Sequence, residues 1–424
     1  MAIIRPFQGI RPAAEYTSRV AALPYDVYHR EEAAEEAARD RLSFLNIDRP
    51  ETQFDPSQDM YAPEVYQKAH DMLWEQVGRG IYRKDDTACY YLYELTMDGR
   101  AQTGLVACAS VDDYLNGIIK KHENTRAEKE EDRIRHVDAC EAQTGPIFLA
   151  YRANTVIREL TAQVKTAPAV FDFISKDGIR HRGWKITEAE KISQIRQTFE
   201  EIQGVYIADG HHRAASAVRV GQMRRKSHPG YTGEEEFNYF LSILFPDEEL
   251  MIMDYNRVVK DLNGYTVEQF LEQVERKFTI NPYDRAVKPE RKGSFSMYLA
   301  GKWYQMDIRD EYRNDDPVEG LDVSVLQREL LEPILGIRDP KRDERIDFIG
   351  GIRGLTELER RVNEDCAVAF AVYPVSIREL FDVADAGRLM PPKSTWFEPK
   401  LRSGLFIHDI REKIEICDIF PLNQ

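Results

Sequence analysis

The sequence predicts a mixed α+β fold, and three observations predict it. Apolar runs of strand length recur along the chain, at 89–96, 103–111, 146–151, 237–244 and 367–373. Longer stretches carry apolar residues at helical spacing, as in Val65, Ala69, Leu73 and Val77. Asp-Gly and Asn-Gly pairs and prolines punctuate these runs as hairpin and loop signals. At 424 residues the chain is long enough for two or three cores. A boundary is expected near 255–265, where Asn263-Gly264 interrupts the pattern, so the expected domains are 1–255 and 256–424.

Composition narrows the class of protein. A hydrophobic content of 42% and a charged content of 31% fit a water-soluble globular chain. The net charge of −15 argues against a protein whose main task is holding nucleic acid, which needs a basic face. No apolar run approaches the roughly 18–20 residues of a membrane span, so no membrane partner is expected. The start, Met1-Ala2-Ile3-Ile4-Arg5-Pro6, lacks the apolar core and cleavage site of a signal peptide, which makes the cytoplasm the expected location. Cys89, Cys108, Cys140, Cys366 and Cys417 are scattered without a C-x-x-C pair. They read as small buried residues rather than a disulfide framework or zinc ribbon.

The elements follow in order. Leu23 to Val27 reads as a turn or extended segment, because Pro24 biases its predecessor away from helix. Helices are expected over 30–42 and 61–79. Cys89 to Thr96 and Thr103 to Val111 should pair around Asp98-Gly99. A short strand from Ile118 should end at Thr125, where Thr125-x-x-Glu128 forms a capping box for a charged helix to Val137. Pro146 to Tyr151 reads as a buried strand. Val170 to Ile174 and Arg182 to Ile186 should pair, and 188–202 should be helical. Phe237 to Leu244 and Glu249 to Asp254 read as a further hairpin over Pro246-Asp247-Glu248. Beyond the boundary, Thr266-x-x-Gln269 caps a helix, and Ser294 to Leu299 pairs with Trp303 to Ile308. Helices follow over 323–335, 356–363 and 377–386, with a strand at 367–373.

Three stretches carry candidate chemistry. The first is Gly204 to Ala217, an apolar strand that breaks at Asp209-Gly210-His211-His212-Arg213 and resumes as an alanine-rich helix. Such a junction aims backbone N–H groups and the positive end of the helix dipole at one point, an anion site. Gly210 permits a positive φ, Arg213 can hold phosphate oxygens bidentately, and Asp209 can hold Mg²⁺ or orient a hydroxyl. The plain alternative is an ordinary strand–turn–helix with Asp209 as N-cap. The second is Lys121-His122-Glu123-x-Thr125, followed by Lys129, Asp132, Arg133 and His136 on one helical face. That face is either a solvated stripe of i,i+4 pairs or part of a site. A zinc-protease H-E-x-x-H is excluded, because position 126 is Arg126. The third is the proline-stiffened loop from Met390 to Gly404, with Lys393, Ser394, Thr395 and Lys400 as anion-binding candidates; the alternative is a surface loop. Phe348-Ile349-Gly350-Gly351-Ile352-Arg353-Gly354 matches neither a P-loop nor a dinucleotide fingerprint and reads as structural.

Taken together these stretches resemble the bacterial and archaeal family known as "domain of unknown function 1015". The resemblance rests on Arg5-Pro6, Gly9-x-Arg11-Pro12, Pro24-Tyr25-Asp26-Val27, Lys121-His122-Glu123-x-Thr125 with Asp132-Arg133, Ile207 to Arg213, and Met390 to Leu405. Asp209 to Arg213 also resembles the phosphate-binding motif of the ParB/sulfiredoxin-like superfamily, over about 117–221. That superfamily includes free-serine kinases, sulfiredoxins and CTP-binding partition proteins. The resemblance implies a ParB/sulfiredoxin-like nucleotide-binding core, with a C-terminal α+β part contributing the Lys/Ser/Thr loop. In the serine kinases a His-Glu pair precedes the phosphate motif and its Glu is the base, a role that falls here on Glu123 beside His122.

The implied activity is a phosphotransferase acting on a hydroxyl metabolite, free L-serine foremost, with ATP or ADP and Mg²⁺. Gly210, His211, His212 and Arg213, with Thr125 and Arg133, would hold phosphates, and Asp209 the metal. Lys393, Ser394, Thr395 and Lys400 would close over the phosphates or bind the substrate. A phosphatase for the same phosphorylated metabolite and a non-catalytic nucleotide-binding module stay open. The expected partners are a nucleotide and a small molecule, with a homodimer allowed. Sulfiredoxin chemistry needs a cysteine within 209–213, and there is none.

Overall fold

The computed structural model describes residues 2–411; Cys417 lies outside them. The protein is mixed α+β, as its sequence predicts. The chain forms two compact units. The first takes the residues up to Lys120, then Thr125–Glu249, and those from Pro399 onward; the second takes Lys121–Asn124 and Leu250–Glu398.

The first unit is built on a nine-stranded sheet among the described residues. Its order is Ile119–Lys120, Val205–Asp209, Ile147–Tyr151, Tyr239–Pro246, Arg100–Ser110, Tyr90–Met97, Arg180–Ile186 and Phe171–Ile174, with Ile4–Arg5 also on Arg100–Ser110. The hairpin at Asp98-Gly99 forms as expected. Both residues take positive φ (51° and 78°), the backbone of a two-residue turn matched to strand twist. Phe171–Ile174 pairs with Arg180–Ile186.

The expected hairpin between Phe237–Leu244 and Glu249–Asp254 does not form. Tyr239–Pro246 instead pairs antiparallel with Arg100–Ser110 and parallel with Ile147–Tyr151. Its side chains from Phe240 to Phe245 are all buried. A strand apolar on both faces needs a covered, central position, which a local hairpin cannot supply. Ile252–Met253 pairs instead with Trp396–Phe397 in the second unit.

One face of the sheet packs Ile157, Leu160, Ile195, Phe199, Ala214 and Val218 from the helices Thr155–Val164, Ala189–Glu201 and His211–Ser227. A second apolar cluster joins Phe44, Ala69, Leu73, Cys140 and Ile407. The last of these comes from the returning C-terminal segment, whose Ser403 and Ile407 backbones bond to Ala22 and Ile10.

The second unit is a six-stranded antiparallel sheet in the order Phe278–Tyr283, Lys302–Ile308, Ser294–Leu299, Val368–Val372, Tyr255–Val259 and Ile346–Gly350. Leu358 on the helix Gly354–Glu364 packs with Val258, Trp303, Ile349 and Ala371 on one face. The Thr266/Gln269 capping box forms. The helix expected over 323–335 is only partly α: Asp322–Leu326 runs into a π-helical segment, Gln327–Leu331. There the Gln327 side chain bonds the Ile337 carbonyl, and Arg328 the carbonyls of Glu319 and Tyr312.

Candidate functional site

The strand Val205–Asp209 is buried because its residues from Val205 to Ala208 are apolar and both edges are paired. Its register with Ile147–Tyr151 slips between Ile207 and Asp209, which ends the ladder at the site. Gly210 then takes φ 89°, ψ 34°, and His211–Ser227 begins at once. Only glycine serves here. The conformation is left-handed, and a Cβ would stand 3.0 Å from Arg213 Nε and 3.1 Å from its Cζ.

Arg213 folds back beneath that turn and is 9% exposed. Its Nη1 donates to the Pro146 carbonyl, while Nε has no hydrogen-bond partner among the described residues. Gly145 lies against it: a Cβ there would be in van der Waals contact with Arg213 Cδ at 3.4 Å. The first turn of His211–Ser227 carries no acidic residue, so its N–H groups and dipole face no protein carboxylate on that turn.

Asp209 is not the N-cap; Gly210 is. The Gly210 N–H donates to Asp209 Oδ1 at 2.8 Å, and Lys400 Nζ donates to Oδ2 at 3.1 Å. Burial works against ionisation of this carboxyl, but the charges of Lys400 and Arg213 outweigh it and hold the group well below the usual carboxylate range. His212 Nε2 accepts the Arg126 N–H at 3.0 Å, so in the neutral ring the proton sits on Nδ1. Burial, with Lys129 nearby, lowers its proton affinity and keeps it neutral.

The capping box expected at Thr125 does not form. The helix is Ala127–Cys140 with Arg126 as N-cap, and the Thr125 hydroxyl donates to Glu130 Oε2 at 2.8 Å. The polar face on that helix is not a solvated stripe. Lys129 is exposed, but Arg133 and His136 are buried. Arg133 lies over the Tyr25 ring at 4.2 Å and donates to Asp132 Oδ2 (2.9 Å) and the Asp48 carbonyl (3.2 Å). His136 Nε2 meets the Ile47 carbonyl at 2.8 Å and therefore carries the proton. Arg133 and Arg213 line one narrow crevice with Tyr25, Thr144, Gly145 and Ser403.

The structure thus gathers Asp209, Gly210, His211, His212, Arg213 and Lys400, with Arg133 on the adjoining crevice. His122, Glu123, Lys393, Ser394 and Thr395 belong to the second unit. The strand expected to reach His122 and Glu123 stops at Lys120. The His122 carbonyl accepts the Met390 N–H at 2.8 Å. Lys393 has a positive φ of 58° and is exposed; its carbonyl accepts from Arg257 Nη2, and its Nζ stands 5.6 Å from the Tyr255 ring centre. Ser394 is buried and its hydroxyl bonds the Pro391 carbonyl at 2.7 Å.

Tyr25 and Ser403 lie in stretches that carry the family resemblance but had no chemistry assigned to them. Thr144 and Gly145 show only one local sign, that Thr144-Gly145-Pro146 interrupts the chain just before a buried strand. Among the described residues no group of three or more His, Cys, Asp or Glu side chains could hold a metal ion, and no helix is long and apolar enough to cross a membrane.

Solved structures with some likeness to the fold include a free serine kinase in complex with AMP, at 14% identity over 69% of this chain and 86% of that one, TM-score 0.34. A conserved hypothetical protein from Pyrococcus furiosus matches at 14% identity over 71% and 93%, TM-score 0.34. C-terminally truncated SbnI from Staphylococcus aureus matches at 12% over 69% and 82%, TM-score 0.35. No curated protein matches the sequence. The profile of the family described as "Protein of unknown function (DUF1015)" matches residues 4–324, and the chain belongs to that family.

Proposed function

We propose that the protein is a phosphotransferase that moves a phosphoryl group from ATP or ADP to the hydroxyl of a small metabolite, free L-serine foremost. One observation carries this reading. A 17-residue helix opens at a left-handed glycine with no carboxylate in its first turn, and the buried guanidinium of Arg213 lies beneath it with a donor to spare. Phosphoryl transfer asks a protein mainly for positioning and for charge neutralisation, and this turn offers both.

In the proposed step the substrate hydroxyl oxygen attacks the terminal phosphorus of the nucleotide. The bond from that phosphorus to the bridging oxygen breaks, and the shortened nucleotide leaves. The hydroxyl proton passes to the Glu123 carboxylate. Glu123 lies between two anchored points: Lys120, paired with Tyr206, and Arg126, bonded to His212. Three residues of chain reach at most about 11 Å, so its Cα is tethered within that distance of each anchor. The backbone N–H of His211 would meet phosphate oxygens, with His212 and Arg213 beside it. The Gly210 N–H, expected to join them, is taken by Asp209 Oδ1, so Gly210 serves through its conformation. Lys400 would steady Asp209, and Lys393, Ser394 and Thr395 would serve the substrate. Mg²⁺ suits a site with one carboxylate, because it is held largely by phosphates and water, with Asp209 as its protein oxygen. It would neutralise phosphate charge.

The test is phosphorus NMR of the purified full chain with L-serine, Mg²⁺ and ATP or ADP. Phosphoserine should form, and Glu123→Gln should lower turnover by about 100-fold or more while nucleotide still raises thermal stability. Absence of both product and nucleotide-induced stabilisation overturns the proposal.

A further inference from the structure

Pro24-Tyr25-Asp26-Val27, which the transfer chemistry leaves without a task, meets Asp132-Arg133 in space. Arg133, expected from the resemblance to hold phosphate, lines both the crevice toward Arg213 and a second space. Tyr25, Asp26, Lys129, Asp132 and Arg133 line one cavity of ≈ 300 Å³ in the first unit. Its walls are held in place. Arg49 and Glu51 form a buried ion pair at 2.6 Å, and Arg49 Nη1 also donates to the carbonyls of Tyr25 (2.9 Å) and Tyr28 (3.0 Å), which pins the loop. Tyr66 donates its hydroxyl to Asp132 Oδ1 at 2.9 Å.

The cavity has a direction. Tyr25 and Arg133 also line the crevice that reaches Arg213 beneath the Gly210 turn. Asp26 and Lys129 stand close enough to His212 to act on its charge with opposite signs. An occupant therefore has one end beside the candidate phosphate site.

We propose that this cavity is the acceptor pocket, and that it takes a free amino acid bearing a side-chain hydroxyl. Its carboxylate would face Arg133 and Lys129, its ammonium Asp26, and its hydroxyl the Asp209–Arg213 turn. The proposal rests on the phosphotransferase reading for the fate of that hydroxyl, but not for binding. The cavity presents charge of both signs, Asp26 and Lys129 at its exposed rim and Arg133 within, and a zwitterion matches both, whereas an anion or a neutral ligand matches at most one. The bonds of Arg133 to Asp132 and to the Asp48 carbonyl occupy three of the five guanidinium N–H groups, which leaves donors for a carboxylate. A nucleobase fits less well. The Tyr25 ring is already covered by Arg133, and the Tyr66 hydroxyl is already tied to Asp132.

The test is calorimetric titration of the full chain, without nucleotide, with L-serine, L-threonine, ethanolamine, glycerate and adenosine. A hydroxyl amino acid should bind, and ethanolamine and glycerate, each lacking one charge, should bind at least about tenfold more weakly. The exposed-rim variants Asp26→Asn and Lys129→Ala should raise KM for the amino acid about tenfold with little change in kcat. Amino-acid binding with no phosphate transferred would keep the pocket and remove the transfer reading. No amino-acid binding, displacement of the amino acid by adenosine, or phosphorylation with KM untouched in both rim variants would overturn the pocket.

Discussion

Replacing Gly210 by alanine separates the two things that glycine does at the turn. The first is conformational. At φ 89° an alanine costs about 1–2 kcal/mol against the same residue in a helix or strand. The second is spatial. The new methyl would stand 3.0 Å from Arg213 Nε and 3.1 Å from Nη2, so the guanidinium must move. Moving it strains the bond to the Pro146 carbonyl, and a buried donor that loses its partner costs about 1–3 kcal/mol more. Gly210→Ala should therefore destabilise the first unit by about 2–5 kcal/mol. Gly99→Ala is the matched control. Its φ is 78°, and nothing lies within 4 Å of the added methyl, so only the backbone part, about 1–2 kcal/mol, should appear. Scanning calorimetry reads the difference at roughly 2–4 °C per kcal/mol for a unit of this size. Gly210→Ala should also abolish stabilisation by nucleotide, and Gly99→Ala should keep it. Equal melting shifts in the two variants, with nucleotide response intact in both, would refute the idea that Arg213 is seated against the turn.

Three further outcomes follow from named contacts. Asp209 is held ionised below the usual carboxylate range, so its contribution to stability is present at neutral pH and is lost as pH falls toward its folded value. Lys400→Met should move its titration upward, read by carboxyl ¹³C NMR; an unmoved titration would show that Lys400 does not set it. In the second unit burial raises Asp322 to about 7, against the Gly293 N–H bonds that favour its charge. Its stabilising effect is thus complete below the ordinary carboxylate range and fades as pH rises to about 7, and Asp322→Asn should flatten that slope in denaturation profiles. Phe44 is fully buried, and an added methyl at Gly404 would stand 2.7 Å from it. Phe44→Ala should cost about 3–5 kcal/mol and open the 399–411 segment to limited proteolysis, while protection equal to the parent's would contradict that anchoring role.

The sequence by itself determined much of what is decided within a few residues, though not the Thr125 capping box, whose hydroxyl bonds Glu130 instead. The Asp98-Gly99 hairpin follows from turn chemistry, and the Thr266 capping box from a hydroxyl and an amide three residues apart. The break at Asp209-Gly210 is equally local: an apolar strand, one residue free to take positive φ, and an alanine-rich helix. Only the tertiary structure decided matters of partnership. Nothing near Tyr239–Pro246 says that its neighbours are Arg100–Ser110 and Ile147–Tyr151, because a doubly apolar strand specifies burial and not an address. The same holds for Arg133 and His136, whose helical spacing defines a face but not what covers it. Lys400 shows the reason most plainly. It meets Asp209 across 191 residues of sequence, because the C-terminal segment returns to the first unit and packs through Ile407. Local propensity fixes the shape of a turn, while the charges around it are set by whichever distant segments the core brings home.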